Sequence, residues 1–131
     1  PPFEILTARL CRKIQGFGSY EPLNAQAVRP GRSALVYCEI SGLEYHQEGE
    51  EFVATVATRV ELVRNSDGAP VWDVSGQARD RCSARRRDAY VGTLITLPDD
   101  LRPGGYTLRL YQADASSGRT AAAEIPVTIA P

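Results

Sequence analysis

Residues 79–88 of this chain read RDRCSARRRD and place five arginines, two aspartates and one cysteine in ten positions. Guanidinium groups bind carboxylates and phosphates through paired hydrogen bonds, so this stretch is a candidate contact for a nucleic acid, an anionic glycan or another protein. Within it, the candidate residues for a partner contact are Arg85, Arg86 and Arg87. The alternative is a solvated connection whose charges pair locally, with the acidic residues 44–51 as partners.

The charge of the whole chain argues against a nucleic-acid partner. The 131 residues carry a net charge of -1, with 24% charged and 43% hydrophobic residues, which is typical of a globular domain. Two aspartates reduce the charge of residues 79–88, and no aromatic residues alternate with the arginines to stack on bases. We therefore expect no nucleic acid and consider a protein or a glycan as the partner.

Three cysteines and one histidine are the residues that could bind zinc or form a nucleophilic pair. Cys11, Cys38 and Cys82 are widely separated and form no Cys-x-x-Cys pair, which argues against zinc. His46 lies in the acidic segment, and no third residue that would orient it can be identified. The sequence therefore predicts no catalytic residue, no metal and no cofactor, and we interpret the chain as non-enzymatic.

The elements that position these residues are predicted to be strands. Apolar residues recur at every second position in residues 52–62, 106–110 and 121–129, which is the period of a strand with one buried face. Turn residues at 65–68 and 116–118 predict two hairpins, and Pro126 falls on the outward face of the last strand. Proline there predicts an edge strand. Residues 33–40 and 89–97 form two further strands, although the inward face of residues 89–97 is ambiguous.

The first segment, residues 3–14, fits either a strand or one face of a helix. We predict a strand because nothing else in the chain has a helical pattern beyond a single turn near Asp99. Seven to eight short antiparallel strands separated by turns predict an all-β fold, an immunoglobulin-like two-sheet β-sandwich. Residues 1–131 are expected to form one domain.

The strand pattern also bears on the cysteines. Cys38 shares the apolar face of Ala34, Val36 and Ile40, so it is predicted to be a free buried thiol. If the protein is exported, Cys11 and Cys82 are the predicted disulfide, with three free thiols as the alternative. A bridge that closes a loop of this length contributes about 4 kcal/mol in the chain-entropy model.

The tail LPDDLRPGGYTLRLYQADASSGRTAAAEIPVTI resembles the last two strands of bacterial extracytoplasmic immunoglobulin-like or fibronectin-like modules. Together with CRKIQGFGSYEPL, PGRSALVYCEI and RCSARRRDAY, it makes the chain similar, nearly end to end, to uncharacterised envelope proteins of planctomycete-type bacteria. The resemblance implies a β-sandwich fold and an extracytoplasmic location in the periplasm, the cell envelope or the medium. It implies no activity.

The expected function is a non-catalytic structural or protein-binding module of a bacterial envelope or secreted protein. One alternative is a carbohydrate-binding module, although Tyr37 and Tyr111 point outward from strands expected in different sheets. A second alternative is an anion-binding surface at residues 79–88. No run of about 18 apolar residues predicts a membrane span. The chain opens PPFEIL without a leader pattern, and we expect any targeting signal to have been removed.

Overall fold

A computed structural model describes residues 2–131 of the chain. The described chain folds into nine β-strands and contains no helix. The strands are β1 (Glu4–Gly16), β2 (Ser19–Pro22), β3 (Ser33–Ser41), β4 (His46–Glu48), β5 (Glu51–Arg64), β6 (Pro70–Cys82), β7 (Asp88–Thr96), β8 (Gly104–Asp114) and β9 (Thr120–Ile129). Within residues 2–131, therefore, no helix is long and apolar enough to cross a membrane.

The strands form two antiparallel sheets. The first sheet has the order β2-β1-β3-β7. In the second sheet β5 pairs with β8 along one edge and with β6 along the other, and β9 follows β8. The short β4 pairs with the beginning of β5, beyond the end of β8. The architecture is thus all-β and sandwich-like, as the sequence pattern predicted.

The core lies between the two sheets and follows the alternation seen in the sequence. From β5 it receives Ala54, Val56, Val60 and Leu62, and from β8 it receives Tyr106, Leu108 and Leu110. The first sheet contributes Leu10 of β1 and the inward residues of β3. Each inward side chain buries apolar surface while its neighbours along the strand face outward, so the period of two fixes the orientation of every long strand.

Several predictions about the elements are confirmed. The first segment is a strand, and β9, which contains Pro126, lies at an edge of the second sheet. The hairpin turn before β6 contains Gly68 with a positive φ of 70°. The expected count of seven to eight strands is exceeded because β2 and β4, with four and three residues, are too short to show a periodic pattern.

A candidate protein-binding edge

Strand β7 is an edge strand of the first sheet, and its second edge is not paired with any strand of the described chain. Residues 89–96 of β7 contain no charged residue and no proline. Their outward face exposes Tyr90 and Leu94, with 41% and 67% of their surface accessible. Long, uncharged, apolar strand edges are rare in monomeric proteins because they attract other strands. The free edge of β7 is therefore a candidate binding surface.

The hydrogen bonds at both ends of β7 show which backbone groups are free. The N–H of Gly42 donates to the carbonyl of Arg87, and the N–H of Leu97 donates to the carbonyl of Arg32, each over 3.4 Å. Because the register with β3 has no irregularity, the odd-numbered residues of β7 direct their N–H and C=O groups toward β3. The even-numbered residues direct these groups to the free edge: Asp88, Tyr90, Gly92, Leu94 and Thr96.

The other sheet edges carry features that discourage strand addition. Strand β2 has only four residues and ends at Pro22, and β9 contains Pro126. Strand β6 points the charged side chain of Asp80 inward, opposite Ala54 of β5. Short length, proline and inward charge are the devices by which proteins protect sheet edges. Unlike these three edge strands, β7 lacks short length, proline and inward charge between residues 89 and 96.

An aromatic cluster lies on the outer face of the first sheet beside β7. Tyr20 of β2 packs against Tyr37 of β3 with ring centroids 4.3 Å apart, and Tyr37 stacks on Tyr90 of β7 at 5.7 Å. Phe17, in the turn between β1 and β2, contacts Tyr90 edge-on at 6.2 Å. The β1–β2 hairpin therefore folds over the sheet and brings the exposed ring of Phe17 next to the free edge.

This cluster does not form a flat sugar-binding platform. The rings of Tyr20, Tyr37 and Tyr90 are inclined to their neighbours by only 20–31°, so the ring faces pack against one another. Tyr37 does point outward, as predicted, but the hairpin covers it completely. Tyr111 lies in the second sheet, and the Arg59 guanidinium covers its ring at 5.4 Å from the centroid. Neither tyrosine presents a ring face suited to stacking on a sugar.

A groove of about 320 Å³ is lined by residues of β6 and β7 and also by Phe17 and Arg86. The Nε of Arg86 lies 3.3 Å from Oδ2 of Asp80, which also accepts a 2.7 Å hydrogen bond from the Tyr45 hydroxyl. The Cys82 side chain and then the Asp80 carboxylate raise the pKa of Arg86. Arg86 thus lines the groove as a charged side chain that its ion pair with Asp80 holds in place.

The two neighbours of Arg86 are differently placed. The guanidinium of Arg85 lies over the ring of Phe52, 5.3 Å from its centroid. Arg87 is exposed, and it has no ion pair among residues 2–131. These arginines occupy the connection of residues 83–87, immediately before β7. The three candidate contact residues therefore lie together at the beginning of the free edge.

Residues 79–82 belong to β6 rather than to a loop, which corrects the interpretation of the whole stretch as a connection. Arg79 and Arg81 point outward and pair with Glu48 at 3.0 and 3.8 Å, and Arg81 also lies 3.7 Å from Glu51. The expected pairing with the acidic segment therefore occurs for these two arginines. Since Arg79 and Arg81 already pair with carboxylates, they are less available to an external anion than the sequence suggests.

The structure does not form the disulfide predicted between Cys11 and Cys82. All three cysteines of the described chain are free thiols. Cys11 pairs with Leu35 on the outer face of the first sheet, whereas Cys82 packs against the core from the second sheet. A disulfide requires Cα atoms within about 7 Å, and packed sheets lie about 10 Å apart. Here the first sheet also lies between the two thiols.

The three thiols differ in their surroundings. Cys38 is 1% exposed in the core, and burial raises its pKa to about 11. Burial also raises the pKa of Cys11. Cys82 is partly exposed, and its thiol lies 3.7 Å from the carbonyl oxygen of Phe52. Cys82 is therefore the most accessible of the three thiols. Because the thiolate is the reactive form and the raised pKa of Cys38 disfavours it, Cys38 is the least reactive.

The remaining candidate for chemistry, His46, lies on the exposed β4, where its Nε2 is 2.8 Å from Oε2 of Glu48. The hydrogen bond with His46, followed by the charges of Arg79 and Arg81, lowers the pKa of Glu48. Within residues 2–131 no group of three or more His, Cys, Asp or Glu side chains is arranged to hold a metal ion. His46 is therefore part of a surface charge cluster.

Comparison with known proteins yields a structural likeness only. No family model matches the chain, and no curated protein matches its sequence. Among solved structures, all of this chain superposes on 50% of Spo0M, a sporulation control protein from Bacillus subtilis, with a TM-score of 0.50 and 11% identity. The likeness is one of fold. The chain spans half the length of Spo0M, and at this identity the match carries no information about activity.

The sequence pattern indicated the three arginines but not the β7 edge beside them. The sequence feature that could have indicated this edge is the uncharged run of residues 89–97, which lies between the arginines and Asp99. Which strand lies at an edge depends on the order of strands in the sheet, and this order is set by contacts distant in sequence.

Proposed function

We propose that this domain is a non-catalytic protein-binding module that receives an extended polypeptide as an additional strand along β7. The observation that carries the proposal is the free edge itself, which is uncharged from residue 89 to 96 and exposes Tyr90 and Leu94. Strand addition of this kind obtains affinity from main-chain hydrogen bonds and specificity from pockets for alternate side chains. Both are available at β7.

Each face of an added strand would meet a different surface. Side chains on its outer face would contact Tyr90 and Leu94, with Phe17 at the rim. Side chains on its inner face would enter the groove between β6 and β7, where Arg86 supplies a charge. Aromatic and arginine side chains are the residues most often found to dominate protein interfaces.

We further propose that the sandwich is of the immunoglobulin-like type. Among the long strands, β1, β3 and β7 share one sheet and β5, β6, β8 and β9 share the other, as strands A, B, E and C, C′, F, G do in such domains. The buried Tyr106, near the start of β8, donates a 2.7 Å hydrogen bond from its hydroxyl to the carbonyl of Arg102. This contact resembles the tyrosine corner of immunoglobulin-like sandwiches and supports the proposal.

We also propose an extracytoplasmic location in a bacterial envelope or secreted protein. It rests on the resemblance of the sequence to uncharacterised envelope modules and on the sandwich architecture, which many cell-surface domains share.

The proposed function is tested with a displayed library of random linear peptides, selected against the domain at submicromolar concentration. Bound peptides are then measured against Leu94→Lys, which places a charge on the edge, and against Leu6→Lys. Leu6 is a control because it is also an exposed leucine of the first sheet, at 48%, but lies at an irregularity of β1, which β3 separates from β7. Tryptophan fluorescence of Trp72 checks that both variants are folded.

We expect selected peptides to bind the wild type and Leu6→Lys equally, and to lose about tenfold or more in affinity for Leu94→Lys. Amide exchange should slow at Tyr90, Gly92 and Leu94 when peptide is bound, because their N–H groups face the free edge. Peptides that bind both lysine variants equally, or a library that yields no binder, would overturn the proposal.

A further inference from the structure

The geometry points to a second copy of this chain as the partner that adds to β7, by antiparallel pairing of the two β7 edges around a two-fold axis. This inference rests on the proposed function, since it names the occupant of the same edge. The pairing would join two four-stranded sheets into one continuous sheet. Two-fold pairing through one shared surface is the commonest symmetry of protein dimers.

The backbone of β7 has the phase that such pairing needs. Gly92 is the central residue of the nine in β7, and its N–H and C=O groups face the free edge. If the two-fold axis passes between Gly92 of each copy, these residues exchange two hydrogen bonds. Every second residue outward from this centre then forms a hydrogen-bonded pair as well, so the exposed backbone groups of β7 are satisfied along its length.

The side chains of β7 are complementary to themselves in this register. On the outer face, Tyr90 of one copy lies opposite Leu94 of the second copy, and the reverse pair forms on the other side of the axis. On the inner face, Ala89 lies opposite Ile95 of the second copy. Aromatic and branched apolar residues that face each other across strands stabilise a sheet, and no like charges oppose each other here.

The charges that flank β7 favour a copy of the chain over an unrelated peptide. Three exposed arginines, residues 85–87, precede the strand, and two exposed aspartates, Asp99 and Asp100, follow it. The two aspartates have no ion pair within the described part of the chain. Antiparallel pairing places the arginines of each copy beside the aspartates of the other. An edge that is positive at one end and negative at the other is matched at both ends by its own antiparallel copy.

The test is sedimentation equilibrium of the wild type and two charge-reversed variants. Arg85→Glu/Arg87→Glu reverses one end and leaves Arg86 with Asp80. Asp99→Lys/Asp100→Lys reverses the other end. We expect the wild type to dimerise and each variant alone to dimerise about tenfold or more weakly, because like charges then meet at both ends of the paired edges.

An equimolar mixture of the two variants restores attraction at both ends, so we expect it to dimerise about as strongly as the wild type. A merely structural role of these residues would not give this recovery. Leu94→Lys should be monomeric and Leu6→Lys dimeric, and added salt should weaken the wild-type dimer.

The inference is overturned if the wild type is monomeric at all concentrations, or if mixing the variants restores nothing. If a monomeric wild type still binds library peptides in a manner sensitive to Leu94→Lys, the proposed function stands and only the second copy is rejected. If dimerisation is insensitive to Leu94→Lys, the dimer uses another surface.

Discussion

Replacing Tyr37 with phenylalanine tests how the aromatic cluster is held in place beside the free edge of β7. The Tyr37 hydroxyl accepts a hydrogen bond from the N–H of Gly18 and donates one to Oε2 of Glu39, both at 2.7 Å. The first bond fixes the hairpin turn that carries Phe17. Tyr37→Phe keeps the ring stack but leaves the amide and the carboxylate without this partner.

The expected cost follows from the two bonds. A hydrogen bond to a charged group contributes about 1.5–3 kcal/mol, and a neutral one about 1 kcal/mol. Water can reach Gly18, which is exposed, so its amide is partly compensated in the variant. We therefore expect Tyr37→Phe to lower the free energy of unfolding by about 2–3 kcal/mol.

The same hydroxyl predicts a dependence of stability on pH. Burial, followed by the hydrogen bond to Glu39, raises the pKa of Tyr37 to about 12 from its ordinary value of 10.0. The neutral hydroxyl is thus favoured in the folded protein, and its contribution is complete below pH 10. It is lost as the pH rises from about 10 to about 12, because the unfolded chain releases this proton first. Tyr37→Phe should flatten the decline of stability in this window.

The assay is urea unfolding followed by the fluorescence of Trp72, the one tryptophan of the chain, at pH 7 and between pH 9 and 12. Tyr20→Phe is the matched control because Tyr20 stacks in the same cluster while its hydroxyl has no hydrogen bond within residues 2–131. The control should cost less than about 0.5 kcal/mol. Equal losses in both variants, or an unchanged alkaline decline in Tyr37→Phe, would refute this reasoning.

Two further predictions concern the backbone and the thiols. Gly42→Ala should lower the free energy of unfolding in urea by about 2 kcal/mol more than Gly68→Ala. Both glycines have a positive φ, but only a Cβ at residue 42 would collide with the backbone, at the carbonyl of Pro2. Equal costs would show that the chain near residue 42 relaxes freely. Titration with a thiol reagent in denaturant, without reductant, should find three thiols per chain, and in the native protein Cys82 should react first and Cys38 last. One thiol per chain would instead show that two of the cysteines form a disulfide.

The sequence predicted the elements well where the pattern is local. The alternation of residues 52–62 placed Val56 and Leu62 in the core, and Pro126 marked an edge, because side-chain direction along a strand depends only on its period of two. The short strands β2 and β4 were not predicted because three or four residues are too few to show a periodic pattern. Turn residues such as Gly68 were readable since a positive φ excludes most other side chains.

The candidate site was less predictable because it depends on contacts between distant segments. Nothing in RDRCSARRRD indicates that Arg79 and Arg81 belong to a strand beside Glu48, while Arg85 and Arg87 lie in the following connection. The environment of Cys11 could not be predicted from the sequence either. Its neighbour Leu10 is also buried, because the core covers one face of β1 and the folded hairpin the other, so burial does not alternate there.

The uncharged run of β7 has a further consequence for the solubility of the protein. Residues 89–96 combine β-branched and aromatic residues with neither charge nor proline, which is the composition of segments that nucleate amyloid-like stacking. Arginines on one side and aspartates on the other act as gatekeepers, since stacking in parallel register would bring like charges together while antiparallel pairing brings opposite charges together. In this way the charges would favour the closed, two-chain pairing proposed above over open-ended stacking. Strong salt, by screening these charges, would weaken this protection together with the proposed dimer.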